Sequence, residues 1–317
     1  MDGNSGGTER AIIMTSFQPG FVHTPVTPFK RDYSVDFDAF GKLIEFHLRH
    51  GAQALALPMH VAESVSLSDS EQRTLLEFAL KEAGTRAAVI AHVSDAGTGI
   101  AVARARHAQD VGAAAIVATV PYYWTPPAGM VIEHFAQIGT AVRIPFFILY
   151  APEETGGTKF GTDLVLKLIE RLDNFTGVVD ASLDWQFMVN IASNAQRVRP
   201  QFQVLSGSEY MVSAGALGAT SMFSSLAGIA PKLVRRLFDL CREERYFEAR
   251  EHQEAISALR QVVKKAGVAG LKAALRIMGR DCGEPRPPNA VLGGAANAAL
   301  AAELGALAML HDEPRGW

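Results

Sequence analysis

Short apolar runs alternate with amphipathic segments along most of the chain, at nearly regular intervals. Eight of these runs have the length of buried strands, and a helix-compatible stretch separates each from the next. The runs are residues 21–26, 52–57, 87–91, 114–120, 146–150, 177–180, 203–206 and 220–223. Eight repeated strand–helix units predict an α/β protein whose parallel strands close into a (β/α)8 barrel, or TIM barrel.

Two of the helical stretches carry further sequence signals. Residues 36–50 place apolar side chains at the spacing of one helix face, and Gly51 follows as a helix-ending residue. Ser68 and Glu71 stand three positions apart before the next amphipathic stretch, a spacing at which each side chain can reach the other's backbone amide. We therefore predict a capping box at the start of that helix.

The pattern divides the chain into three parts. Residues 1–18 are rich in Gly, Ser and Thr without periodicity, which predicts a loose tail. Residues 19–230 form the predicted barrel. Residues 231–317 predict a C-terminal helical bundle, with helices at 233–243, 246–265 and 271–278 before a proline-rich turn at 284–288.

Composition narrows the class of partner. With 48% hydrophobic residues, 20% charged residues and a net charge of -3, the 317-residue chain is typical of a globular protein with a large core. No long basic cluster or membrane-length apolar run is present, so we predict a small-molecule substrate and neither a nucleic-acid nor a membrane partner. Cys241 and Cys282 lack metal-ligand spacing, which favours ordinary thiols in a cytoplasmic setting.

Cofactor motifs are weak. The glycine pairs of the chain do not continue into a dinucleotide-binding helix entry, so we predict no cofactor. Histidines and carboxylates near predicted strand ends leave a divalent-metal site open as an alternative, but they form no ligand motif. These residues are His23, His60, His92, Glu63, Asp180 and Glu209.

Several short motifs, in order along almost the whole chain, resemble the dihydrodipicolinate synthase/N-acetylneuraminate lyase family of pyruvate-handling aldolases. They are Thr27-Pro-Phe29, Glu63-Ser64, Pro121-Tyr-Tyr123, Leu149-Tyr150, Ser206-Gly207, Leu271-Lys-Ala-Ala-Leu275 and Arg286-Pro287. The resemblance implies a barrel with C-terminal helices and a homotetramer or homodimer. It also implies lyase activity on a small oxo or hydroxy acid.

The chain departs from this family at the reacting groups. The lysine that captures the substrate keto group in the family is matched here by Val179, whose alkyl side chain cannot form a Schiff base. The family turn that holds the substrate carboxylate is matched by Met59-His-Val-Ala-Glu63. Lys159, in the loop after Tyr150, is the nearest candidate for a displaced lysine, although a solvated surface position is the simpler interpretation.

Three side chains are predicted to transfer protons. By resemblance, Tyr150 and Tyr123 match the tyrosines of the family's proton relay, and His60 takes the place of the threonine between them. We expect all three at the C-terminal mouth of the barrel, with the Tyr150 hydroxyl hydrogen-bonded to one of the others. The predicted substrate-binding residues are Met59, Val61, Glu63, Val179, Ser206 and Gly207.

Two functions remain open from the sequence. One is a lyase-like enzyme that works without the covalent imine. The other is a catalytically inactive homologue that binds a metabolite or serves in assembly. For His60 itself, the alternative to proton transfer is a packing histidine that hydrogen-bonds a tyrosine hydroxyl. An inactive homologue would not need both Tyr123 and Tyr150, so their presence favours the enzyme.

Overall fold

The computed structural model of the protein describes residues 17–317, so all but two residues of the predicted tail lie outside the described part. Eight parallel strands pair in sequence order, and β1 also pairs with β8, which closes the barrel. The strands are β1 (Phe21–His23), β2 (Ala54–Leu57), β3 (Ala88–His92), β4 (Ala115–Ala118), β5 (Phe146–Tyr150), β6 (Phe175–Asp180), β7 (Gln203–Ser206) and β8 (Met222–Ser224). The predicted (β/α)8 barrel is confirmed.

A helix follows each strand. These helices are α1 (Phe37–Arg49), α2 (Asp69–Ala83), α3 (Thr98–Asp110), α4 (Ala128–Thr140), α5 (Thr162–Arg171), α6 (Trp185–Val198), α7 (Met211–Ala216) and α8 (Pro231–Arg242). The predicted capping box is present at α2, because the Ser68 hydroxyl accepts from the Glu71 amide and the Glu71 carboxylate accepts from the Ser68 amide.

The helix α8 completes the barrel rather than opening a separate part. Its Phe238 stacks on Phe21 of β1 with ring centroids 5.4 Å apart, and the Arg235 guanidinium lies over the same ring. The eighth strand–helix unit therefore extends to Arg242, and the boundary predicted at residue 230 falls inside it.

Three further helices follow, namely α9 (Tyr246–Lys264), α10 (Gly267–Ile277) and α11 (Gly294–Gly305). The first two match predicted helices within a few residues. The sequence did not predict α11, because its run of alanines has no apolar periodicity and its N-cap residue, Gly293, offers no side-chain cap.

Two buried layers define the two sides of the strands. The interior cluster fills the barrel with Val22, Ala54, Ala56, Met59, Ile90, Ala115, Val117, Phe147, Leu149, Ala151, Val179, Leu205 and Phe223. The residues between them along each strand belong to a larger outer layer that packs against the helices. Because side chains alternate along a strand, membership of one layer shows which way a neighbouring side chain points.

Candidate active site

Val179 faces the interior of the barrel and is fully buried. It pairs in register with Leu149 of β5 and Leu205 of β7, and all three belong to the interior cluster. The side of the mouth formed by β5 to β7 is therefore apolar at the position where the resemblance expects an amine. An apolar wall binds carbon skeletons but cannot attack a carbonyl.

The opposite side of the mouth is polar, and His92 is its centre. His92 pairs in register with Val117 and follows Ile90 by two residues, and both of these belong to the interior cluster. Its imidazole therefore points into the barrel at the C-terminal end of β3. Among the inward-facing strand positions in the described chain, His92 is the only titratable side chain.

Ser94 and Thr119 accompany His92. The Ser94 Oγ lies 2.7 Å from Nε2 of His92 and accepts a hydrogen bond of 2.8 Å from the Thr119 amide. All three residues are at least nine-tenths buried, and the Thr119 hydroxyl oxygen has no hydrogen-bond partner among the described atoms. We call these three residues the His92 cluster.

Burial, with smaller contributions from nearby Arg104 and His60, lowers the pKa of His92 to about 4. The Pro58 carbonyl approaches the ring and acts in the opposite direction, although Nδ1 lies outside regular hydrogen-bond geometry. The imidazole is therefore neutral at pH 7, and its proton is placed most favourably on Nδ1, toward that carbonyl. This leaves the Nε2 lone pair facing the Ser94 hydroxyl.

Tyr150 does not face the mouth, which is a correction to the predicted relay geometry. It pairs in register with Asp180 on the outward side of the strands, and its ring lies in the outer layer. The ring stacks on Phe187 at 4.0 Å and contacts Phe160 at 4.6 Å. Within the described chain, its hydroxyl forms no hydrogen bond with Tyr123 or His60.

Tyr123 and His60 lie at the surface. Tyr123 is 96% exposed and has a φ of 89°, a backbone conformation that non-glycine residues rarely adopt. His60 begins a short 3-10 turn after β2 and is also exposed. The structure therefore places His60 near the His92 cluster but does not bring the three predicted proton-transfer residues together in one hydrogen-bonded relay.

The Glu63 carboxylate forms an ion pair and hydrogen bonds within the protein. Its carboxylate is 2.7 Å from Nζ of Lys272 on α10 and accepts hydrogen bonds from the Arg286 amide at 2.7 Å and the Asn289 side chain at 3.2 Å. Both charged side chains are almost fully buried. The carboxylate therefore joins the loop after β2 to the C-terminal segment, and it is not free to bind substrate as predicted.

Ser206 and Gly207 also make contacts within the barrel itself. Ser206 pairs in register with Asp180 on the outward side, and its hydroxyl donates to the Ser208 carbonyl at 2.7 Å. Gly207 approaches β6 so closely that a Cβ would lie 2.8 Å from Cβ of Ala181. Of the predicted substrate-binding residues, only Met59, Val61 and Val179 contact the interior cluster.

The other buried charges lie outside the mouth. Asp180 points away from the interior and accepts two hydrogen bonds from Ser182, while burial raises its pKa. Glu209 accepts from Arg260 at 2.7 Å. His23 points outward and lies with its Nδ1 2.8 Å from Nδ1 of His47.

No three His, Cys, Asp or Glu side chains converge as a metal site within residues 17–317.

The same part of the chain has no helix long and apolar enough to cross a membrane. Both cysteines are buried as free thiols, and burial raises the pKa of each to about 12.

Sequence reasoning did not identify the His92 cluster as a unit. His92 entered only as a scattered metal ligand, because the third strand was predicted to end at Ala91. Extending that strand by one residue puts His92 in phase with Ile90, and this period-two alternation was the available signal. Ser94 and Thr119 carried no such signal, because their contact joins two different strand ends.

Comparison with known proteins matches residues 18–307 to the model of the dihydrodipicolinate synthetase family. An uncharacterized DapA-like lyase from Halobacterium salinarum is 30% identical over 293 residues, which cover 92% of this chain and 94% of that protein. A 4-hydroxy-tetrahydrodipicolinate synthase from Aquifex aeolicus is 32% identical over 233 residues, covering 73% and 78% respectively. The crystal structure of dihydrodipicolinate synthase from Aquifex aeolicus superposes with a TM-score of 0.86 at 29% identity, covering 94% of this chain and 100% of that one.

Proposed function

The chain belongs to the dihydrodipicolinate synthetase family, and from this premise we propose that it is a lyase acting on a small oxo or hydroxy acid without a Schiff base. The observation that carries this proposal is the inward-facing, fully buried Val179 at the position where the resemblance places the lysine. A valine there leaves the carbonyl of a bound oxo acid without a covalent partner.

The positions of Lys159 and Lys272, two lysines of the described chain, support this proposal. Lys159 is exposed in the loop between β5 and α5. Lys272 is the only fully buried lysine of the described chain, and it is held by Glu63 and lies over the Phe29 ring, 4.1 Å from its centroid. An amine held in a buried ion pair is not free to attack a carbonyl, and burial lowers the pKa of Lys272.

The two sides of the mouth suit the two parts of such a substrate. Met59 and Val179 offer apolar contacts for a short carbon chain. The His92 cluster offers hydroxyl groups for an oxygen atom of the substrate. Without an imine, hydrogen bonds of this kind in a water-poor site polarise the oxo group.

A catalytically inactive, metabolite-binding homologue is the second candidate. It is favoured by the engagement of Glu63 in an internal ion pair and by the outward packing of Tyr150. Both residues would then be retained for stability, and the barrel mouth would bind a ligand without converting it.

Borohydride trapping tests the mechanism. The purified protein is incubated with pyruvate and reduced, and its intact mass is compared with that of a family member that has the lysine. We expect no mass increase for this chain. Lys159→Arg is the matched variant, because it removes the primary amine and keeps the charge. An adduct in the natural chain that is lost in this variant would overturn the proposal.

A ligand screen separates the two candidates. Thermal shifts are measured with oxo acids and sugar acids, and each stabilising compound is then followed by NMR for conversion. Turnover supports the lyase, whereas tight binding without turnover supports the inactive homologue.

We also propose a cytoplasmic homo-oligomer, either a tetramer or a dimer. Exposed aromatic residues on the loop after β4 support this, since Tyr123 is 96% exposed and its neighbour Trp124 is 48% exposed. Light scattering during size-exclusion chromatography measures the mass directly, and a monomer at micromolar concentration would contradict the proposal.

A further inference from the structure

The His92 cluster combines a buried base, a hydroxyl group and an unused hydroxyl in one place. The Ser94 Oγ lies 2.7 Å from Nε2 of His92, and the Thr119 amide donates to the same oxygen at 2.8 Å. With the imidazole proton on Nδ1, the Nε2 lone pair accepts from the Ser94 hydroxyl. Ser94 therefore has its oxygen fixed from the β4 side and its proton directed at His92. Thr119 keeps a buried hydroxyl oxygen without a partner.

We propose that Ser94 and His92 form a proton relay, in which Ser94 contacts the substrate and His92 accepts the proton through it, and that the Thr119 hydroxyl binds the oxo or hydroxyl oxygen. This inference rests on the proposed function and adds to it the residues that move the proton.

The step that the relay would carry out is removal of a proton from the carbon next to an oxo group, and its atoms and charges balance. The carbon–hydrogen bond breaks, and that proton goes to the Ser94 oxygen while the Ser94 proton passes to Nε2 of His92. The electron pair of the broken bond forms the carbon–carbon double bond of an enolate, and the negative charge moves to the oxo oxygen. The Thr119 hydroxyl donates a hydrogen bond to that oxygen.

The charges around the relay fit this direction of transfer. His92 is neutral before the reaction, because burial, Arg104 and His60 all disfavour its protonated form. Arg104 donates at 2.8 Å to the Ser94 carbonyl and lies 3.2 Å from Asp95, so its charge is partly neutralised. An enolate formed beside the ring would in turn stabilise the protonated imidazole.

Exchange of pyruvate methyl protons for deuterium, followed by NMR in D2O, tests the relay. We expect the natural chain to exchange these protons above the buffer rate. Ser94→Ala and His92→Gln should each slow exchange by about a hundredfold, the scale of general acid–base catalysis. Ser94→Thr keeps a hydroxyl and should retain most of the rate.

His134→Asn is the matched control. His134 is also buried and also contacts a hydroxyl, with its Nδ1 2.9 Å from the Thr98 Oγ, but it lies on α4 outside the barrel. Its replacement should leave exchange unchanged, and thermal unfolding of every variant shows which ones are folded.

The pH profile distinguishes a relay from a packing role. Exchange by the natural chain should fall as pH drops toward about 4, where His92 becomes protonated, and His92→Gln should lose this acidic limb.

Two outcomes would overturn the relay, namely full exchange by folded Ser94→Ala and His92→Gln, or no exchange by the natural chain. The proposed function fails on a different observation, the borohydride-trapped lysine adduct.

Discussion

At the scale of single residues, Val179 places an alkyl side chain where the resemblance expects an amine. Val179→Lys would bury an amine beside Leu149 and Leu205 with no partner in the interior cluster. We expect the free energy of unfolding at pH 7 to fall by about 2 kcal/mol or more relative to Val179→Met, which has a similar length and no charge.

The pH dependence of the stability difference between Val179→Lys and Val179→Met tests whether the buried charge causes it. A buried lysine has a lowered pKa, so the cost is present while the unfolded chain is protonated and disappears as pH rises toward about 10.4. Urea denaturation of both variants at pH 7 and pH 10 measures it. Equal stability at pH 7 would mean that the amine finds a partner in the mouth.

Tyr150 provides the second residue-scale prediction. Its ring packs between Phe160 and Phe187, and within the described residues its hydroxyl has no hydrogen bond. Tyr150→Phe should therefore leave turnover within about threefold and stability within about 0.5 kcal/mol. A loss on the order of a hundredfold in the ligand assay would instead restore the proton-relay role predicted from the sequence.

At the scale of elements, the Glu63–Lys272 pair joins the loop after β2 to α10. Lys272→Met would leave the Glu63 carboxylate buried with only the Arg286 amide and the Asn289 side chain. Removing one partner of a buried pair typically costs about 3–5 kcal/mol. Chemical denaturation should show a loss of this size.

The double variant Glu63→Gln/Lys272→Met is the control for that prediction. Replacing both charges removes the unpaired carboxylate, so a large part of the stability should return. A double variant as unstable as Lys272→Met would show that the apolar packing of Lys272 on Phe29, rather than charge pairing, holds the two elements together.

At the scale of the whole molecule, we expect the four buried histidines of the described chain to make the fold sensitive to mild acid. Burial lowers the pKa of His47 to about 3, that of His92 and His134 to about 4, and that of His23 well below its usual range. His50, Arg235 and Arg280 lie near the His23–His47 pair and add to its lowering.

The sign of the effect follows from proton binding. Because each folded-state pKa lies below the unfolded value of about 6.5, the unfolded chain binds more protons than the folded chain between these values. The contribution is complete above pH 6.5 and is lost as pH falls. Each histidine should cost about 2 kcal/mol of stability by pH 5.

Urea denaturation at pH 7, 6 and 5 tests this dependence. His134→Asn should make unfolding free energy depend less steeply on pH, because one fewer buried histidine takes up a proton on unfolding. A stability that is flat from pH 7 to 5 would contradict the neutral, buried state of these histidines.

The sequence by itself determined the architecture. The alternation of apolar runs and amphipathic stretches located all eight strands to within a few residues, since burial between helices and a packed interior requires that pattern. The quoted motifs also identified the family, and Val179 was recognised as the departure at the reactive position. The cap of α2 was predictable because its hydrogen bonds join residues only three positions apart.

Only the tertiary structure decided which polar groups reach the mouth. A shift of one residue along a strand reverses the side that a side chain faces, which turned Tyr150 outward and His92 inward. Contacts between distant segments decided the rest, because Glu63 meets Lys272 and Ser94 meets Thr119 only after the chain has closed its barrel. The local pattern of apolar and polar residues predicts burial and periodicity. The partner of a buried charge depends instead on which elements pack side by side.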